Sequence, residues 1–192
     1  MTYLFLGLAA FPLFFLYDIN SIIFKRKVLQ GCFFIGIMLL ILSTGGMIAA
    51  SWSQMEFNVL RIILSGILAL FFFLLLIYTL FFALPFQETY IQSQGLPKVC
   101  KKGVYALCRH PGVLWFAGFY LFLGLTFMMP LLLAAGILFS LLNLLYVMFQ
   151  DRWTFMKSFE DYGEYKKSTP FLLPNYESIK SCIHTLHEER RR

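Results

Sequence analysis

Four long apolar stretches alternate with polar ones along the chain. The first, Tyr3 to Tyr17, stops at Asp18 and the basic segment "NSIIFKRK". Residues 28 to 50, "VLQGCFFIGIMLLILSTGGMIAA", and 59 to 84, "VLRIILSGILALFFFLLLIYTLFFAL", each reach the ~20 apolar residues a helix needs to cross a ~30 Å hydrocarbon core. The next run, 113 to 149, has 37 residues, too many for one crossing. It divides best at "MMP", residues 128 to 130, because proline is favoured at the first position of a helix. The pattern therefore predicts a tight helical hairpin, 113–128 and 131–149, and five transmembrane helices in all. The first run lacks the basic start and small-residue cleavage site of a signal peptide, so it is expected to remain as a short first span.

Charge orients this plan. Lys25, Arg26 and Lys27 follow the first span, Lys98, Lys101, Lys102 and Arg109 follow the third, and eight more basic residues follow the fifth. Of the 16 lysines and arginines, only Arg61 falls elsewhere, and the second loop, "SWSQMEFN", has none. Basic residues concentrate on the cytoplasmic side of membrane proteins. The N-terminus is thus expected outside and the C-terminus in the cytoplasm.

Composition agrees with a membrane chain: 59% of the 192 residues are hydrophobic and 14% are charged, against roughly a quarter charged in a soluble domain. The net charge of +6 reads as a basic cytoplasmic face, with no need for nucleic acid as a partner. Cys32, Cys100, Cys108 and Cys182 have no CxxC spacing, and His184 and His187 alone make no metal site, so no metal is expected. Three regions follow: a three-span membrane region (1–84), a region with the hairpin and an amphipathic helix (85–175), and a cytoplasmic tail (176–192) whose end, "HEERRR", is expected to fray. The fold expected is an all-α integral membrane protein with a C-terminal helical hairpin and a cytoplasmic amphipathic tail.

Two polar clusters flank the hairpin. Before it stands "KKGVYALCRHPG": Gly103 can open a turn, and a short helix would stack Tyr105 and Arg109 at i, i+4 before Pro111 ends it at His110. After it stands "QDRWTFMKSFEDYGEYKKSTPFLLPN", with Asp151 and Arg152 at the end of the span and Tyr162 and Tyr165 on a mixed-charge helix closed by Pro170 and Pro174. Each cluster alone reads as an interfacial anchor or an amphipathic helix at the membrane surface. A hairpin, however, returns to the face it left, which predicts that "YALCRHP" and "QDRW" lie side by side.

The two motifs together resemble the membrane methyltransferase superfamily that contains the isoprenylcysteine carboxyl methyltransferases and the phospholipid methyltransferases. The resemblance rests on Gly103, Tyr105, Arg109, His110 and Pro111 before the hairpin and on Asp151, Tyr162, Tyr165, Pro170 and Pro174 after it, roughly residues 95 to 175. It implies S-adenosylmethionine as cofactor, held on the cytoplasmic side beneath a cover formed by the tail. It also implies a lipid or lipid-attached acceptor, a carboxylate, an amine or a hydroxyl, entering from the bilayer. By that resemblance Gly103, Tyr105, Arg109, His110, Pro111, Asp151, Tyr162 and Tyr165 are cofactor-binding candidates, and Asp151 and Arg152 are catalytic candidates. Asp151 would pair with the cofactor's amino group and Arg109 with its carboxylate, while Arg152 would orient an acceptor carboxylate or phosphate. The chain has Gln150 and Asp151 where the family often has two glutamates, and "GVLWF" follows the R-H-P segment. Two other readings share this architecture: a non-catalytic membrane scaffold, and a nicotinamide-dependent sterol-type reductase. The second lacks its Asn-Tyr motif in "RHPGVLWFAG".

Overall fold

The structure, a computed structural model, describes residues 1–55, 57–83 and 96–189. The last residue of the predicted third span, Leu84, and the first part of the third loop, 85–95, lie outside the described residues, as do Glu56 and Arg190 to Arg192. All regular structure among the described residues is helical.

Four helices are long and apolar enough to cross a membrane: α1, Thr2–Phe24; α2, Lys27–Ser51; α3, Val59–Phe82; and α6, Pro130–Ser158. This marks the chain as a membrane protein. Between α3 and α6 come the short α4, Val104–Leu107, and the apolar α5, Pro111–Phe127. Beyond α6 lie α7, Tyr162–Ser168, and α8, Tyr176–Glu189. α5 and α6 form the hairpin, and its turn is at "MMP": Met128 is left-handed (φ 49°) and Pro130 opens α6. Two boundaries differ from expectation. α1 runs on to Phe24 and α6 to Ser158, so Asp18 and Asp151, expected just past the ends of their spans, are inside helices and 4% exposed. His187 to Glu189, expected to fray, are the last turn of α8.

Lipid tails are as apolar as leucine, so helices in a bilayer associate through close packing and interhelical hydrogen bonds. Both devices recur here. Ser43 Oγ on α2 donates to the Tyr3 carbonyl on α1 (2.7 Å), Thr44 Oγ1 and the Tyr120 hydroxyl join α2 to α5 (2.8 Å), and Thr126 Oγ1 donates to Ser65 Oγ between α5 and α3 (3.0 Å). The core is shared by α1, α2 and the hairpin: Phe11, Phe14, Met47, Tyr120, Leu132, Phe139 and Tyr146. Gly136 of α6 faces Tyr120, and a Cβ there would stand 2.9 Å from the tyrosine Cβ. Tyr120 is held at its hydroxyl by Thr44 and cannot swing clear. Gly136→Val is therefore expected to cost about 1–3 kcal/mol by overpacking, read as a lower midpoint of unfolding in detergent.

Three helices contain a π-helical turn, Asn20–Phe24 in α1, Tyr78–Phe82 in α3 and Gln150–Thr154 in α6. The extra residue per turn breaks the regular helical ladder, and such turns gather at functional sites. Each holds a buried polar side chain: Asn20 (1% exposed), Thr79 (2%), and Asp151 (4%) with Thr154 (3%). Asn20 ties down the turn into α2 through Arg26 N and O, both at 2.9 Å. Thr79 and Asp151 belong to the polar end built by α4, α5, α6 and α7.

Candidate functional site

Position 110 precedes a proline, which disfavours α conformation, and the backbone bends away from helix there (φ −129°, ψ 59°). The break comes earlier than the proline alone dictates. α4 ends at Leu107, and Cys108 is extended. The expected i, i+4 stacking of Tyr105 and Arg109 on one helix is thereby overturned. The physical reason is a partner across the chain: Arg109 N donates to the Pro170 carbonyl at 2.9 Å, which an unbroken helix would not permit. Pro111 then opens α5 and is fully buried.

Arg109, freed from the helix, turns its guanidinium onto Asp151. Nε lies 2.9 Å from Oδ1 and Nη2 3.4 Å from Oδ2. Its Nη1 donates to the carbonyls of Lys166 (3.1 Å) and Thr169 (2.8 Å), and its charge sits over the Phe171 ring at 5.6 Å. A single arginine thus joins the start of α5, the end of α6 and the segment after α7. Asp151 collects three further donors. His110 Nε2 is 3.1 Å from Oδ1, the Tyr162 hydroxyl donates to Oδ1 at 2.8 Å, and Lys166 Nζ is 2.8 Å from Oδ2. An ionised carboxylate only accepts, so His110 must carry its proton on Nε2 to make this bond. Burial holds the His110 pKa below its ordinary value, against the pull of Asp151. Asp151 has two full cations beside it already, so a neutral imidazole completes the set at neutral pH.

Aromatic rings wall the cluster. His110 stacks on Phe155 (5.8 Å between centroids, 13° between planes) and meets Phe171 edge-on at 5.1 Å. Tyr162 and Tyr165 are 3% and 2% exposed, and burial raises both phenols, so they act as hydroxyl donors. Tyr165 donates to the Tyr105 carbonyl (2.6 Å), and Tyr105 in turn donates to the Thr79 carbonyl in the π turn of α3 (2.9 Å). Cys108 is wholly buried and its thiol is pushed up to about 11 by burial, which keeps it a protonated packing group.

The expected juxtaposition of "YALCRHP" with "QDRW" is therefore present as hydrogen bonds. Arg109, His110, Asp151 and Tyr162 form one network, and Tyr105 and Tyr165 brace it. Gly103 stands at its edge, left-handed (φ 57°), with its N–H donating to Thr185 Oγ1 of α8 at 3.0 Å. Arg152 is exposed and takes no part in the network. Lys166, Phe155 and Phe171 join the site although neither motif includes them. Lys166 carried a signal, since it follows Tyr162 by four residues and so shares its helix face.

No family model, curated protein or solved structure matches the chain.

A second buried acid adjoins the network. Asp18 of α1 lies against Gln150 and Tyr146 of α6, where Gln150 Nε2 also donates to the Tyr146 hydroxyl at 2.9 Å. Gln150 and Asp151 thus face two neighbours, one the first span and the other the Arg109 cluster. Asp18 Oδ2 and Thr154 Oγ1 are buried without a hydrogen-bond partner. Buried polar atoms are nearly always paired, so this end of α6 retains unused polar capacity.

Proposed function

We propose that the chain transfers a methyl group from S-adenosylmethionine to a lipid-like or lipid-attached acceptor at the cytoplasmic membrane surface, as a member of the membrane methyltransferase superfamily. The observation that supports this reading most is the meeting of the Arg109–His110–Pro111 segment with Asp151 at the two ends of one hairpin. Either motif alone is a weak signal; their direct contact is the arrangement the resemblance implies.

The residues fit the cofactor by chemistry. Asp151 is a carboxylate for its ammonium group, and Lys166, 30% exposed at its side chain, is the donor on Asp151 most open to exchange. Arg109 has the planar fork that suits a carboxylate. Phe155, Phe171 and Tyr162 offer aromatic faces beside the polar set, and Thr154 a free hydroxyl. S-adenosylmethionine supplies an electrophilic methyl on a sulfonium when bound. The chain's own task is to fix orientation and exclude water, and correct positioning alone is worth about 7–11 kcal/mol of barrier. His110, Asp151, Tyr162 and Tyr165 are all buried and hydrogen-bonded, which suits that task. Gly103 and Pro111 shape the backbone around it, and Tyr105 and His110 are the candidates for the polar atoms of the nucleoside. Arg152, exposed one residue from Asp151, is the candidate for an acceptor carboxylate or phosphate.

In this reading α5 is the fourth of five spans. Its 17 residues extend about 26 Å, slightly short of the ~30 Å core, and tight pairing with α6 lets it sit within it. The N-terminus is outside, and the polar end with α7 and α8 is cytoplasmic, a reading that the distribution of lysine and arginine supports.

The test is binding of S-adenosylmethionine to the purified protein in nanodiscs. Saturable binding is expected, weakened about tenfold or more in Asp151→Asn and in His110→Ala, the loss of one charged hydrogen bond. Absence of binding to folded wild-type protein would overturn the reading. A non-catalytic scaffold of the same fold is then the reading that remains, and one observation favours it: Asp151 is already saturated by four side chains of its own protein.

A further inference from the structure

α8 leaves much of its surface unused by the fold. Its packed face is narrow: Ser178 and Cys182 are 4% and 8% exposed, and Thr185 receives the Gly103 N–H. At 3.6 residues per turn, the next face round the helix holds Tyr176, Ile179, Ile183 and Leu186. These are 81%, 44%, 53% and 43% exposed, and Leu173, just before the helix, is 75% exposed. Past this stripe come Lys180 and His187, and past them the polar Glu177 and Ser181, all exposed. Packed face, bare apolar stripe, basic edge and polar face follow one another in that order.

We infer that α8 lies in the plane of the bilayer interface, with its apolar stripe inserted among the lipids of an anionic membrane surface. The inference does not depend on the methyltransferase reading. Three observations carry it. First, height: the packed face rests on α4, which is separated from Pro111, the start of α5, by only a few residues, so α8 is held where the apolar helices begin. Second, the order of the faces: a helix wedged between protein and lipid needs an apolar stripe beside its packed face and basic side chains along the far edge, where they reach up to headgroups. Third, charge: the chain carries +6, and in sequence α8 runs into Arg190, Arg191 and Arg192, which with Lys180 outnumber Glu177, Glu188 and Glu189 and leave this end positive, the sign that anionic lipid attracts. A second copy of the chain is a poorer occupant. A stripe on a 14-residue helix is about 21 Å long and roughly 10 Å wide, on the order of 200 Å², against about 800 Å² per partner in a stable interface.

The experiment places one spin label at a time on the full chain, at Ile183→Cys or at Glu177→Cys, with Cys100→Ser removing the half-exposed native thiol. The protein is held in nanodiscs of phosphatidylcholine and phosphatidylglycerol. The ratio of oxygen accessibility to accessibility toward a water-soluble nickel chelate is expected to be several-fold higher at 183 than at 177. It should fall at 183 when phosphatidylglycerol is omitted or Lys180→Glu is added. Equal nickel accessibility at the two positions would put α8 in water and overturn the inference. So would spin–spin broadening at 183 between labels on two copies, which would make the occupant a second chain.

Discussion

Asp151→Ala is expected to destabilise the folded chain by about 3–5 kcal/mol, the range found when one partner of a buried ion pair is removed. The size follows from what the substitution strands. Arg109 and Lys166 both lie within 3 Å of the Asp151 carboxylate. Their side chains are 9% and 30% exposed, so the arginine above all loses its counter-charge without gaining water. The Tyr162 hydroxyl and His110 Nε2 lose their acceptor in the same step. Asp151→Asn keeps the volume and one acceptor oxygen while losing the charge, so it should fall between wild type and alanine. The readout is the denaturant dependence of Cys108 labelling, because that thiol is fully buried and adjoins Arg109 in sequence. An alanine variant that exposes Cys108 at the same denaturant concentration as wild type would show that the network contributes no net stability. Loss of ligand binding by the same variant would say nothing about the cofactor unless folding had been checked this way first.

The order and kind of the long helices were legible in the sequence because apolar length is a direct physical requirement of the bilayer, and because Pro130 has a strong preference for a helix start. The closeness of Arg109–His110 to Asp151 was legible too, since a hairpin returns its second arm to the level where the first began, whereas their direct ion pair was not. The helix ends were not. Tyr17 and Phe149 mark the ends of apolar runs, yet α1 and α6 continue through π turns to Phe24 and Ser158. A π turn has no residue signature; it is selected by what it turns inward, here Asn20 and Asp151, and those partners are distant in sequence. The same reason hid Asp18. At the end of an apolar run it reads as a solvated boundary charge, whereas the continued helix carries it against Gln150 and Tyr146. Gln150, which looks like a lost acid when the motif is read alone, therefore sits beside an acid supplied by the first span.

The early end of α4 could not be read locally either. Residues 104 to 109 have ordinary helix propensity, and the break at Cys108 exists because Arg109 pairs its N–H with Pro170, about sixty residues later in the chain. That long-range contact gives Arg109 two tasks, one in its backbone and one in its side chain.

The second of these tasks leads to the other large effect. Arg109→Ala should loosen the segment from Lys166 to Phe171, because Nη1 donates to the carbonyls of both Lys166 and Thr169 and the guanidinium also covers Phe171, leaving the backbone bond from residue 109 to Pro170 and the Lys166–Asp151 pair to hold it. Hydrogen bonds from a charged donor contribute about 1.5–3 kcal/mol each. Two of them lost together, with partial relaxation, lower the free energy of local opening by about 3 kcal/mol, or about a hundredfold in exchange rate. The measurement is amide hydrogen exchange over α7 and the residues up to Pro174, with α2 as an internal reference that should not change. Arg109→Lys is the decisive control. A lysine retains the charge beside Asp151 but has one nitrogen, which cannot reach the carboxylate and two separate carbonyls at once. It should therefore exchange nearly as fast as the alanine variant. Full protection in Arg109→Lys would mean that charge alone, already duplicated by Lys166, holds the segment. The planar fork would then have no structural role, and Arg109 would be left as a group whose geometry serves only a ligand.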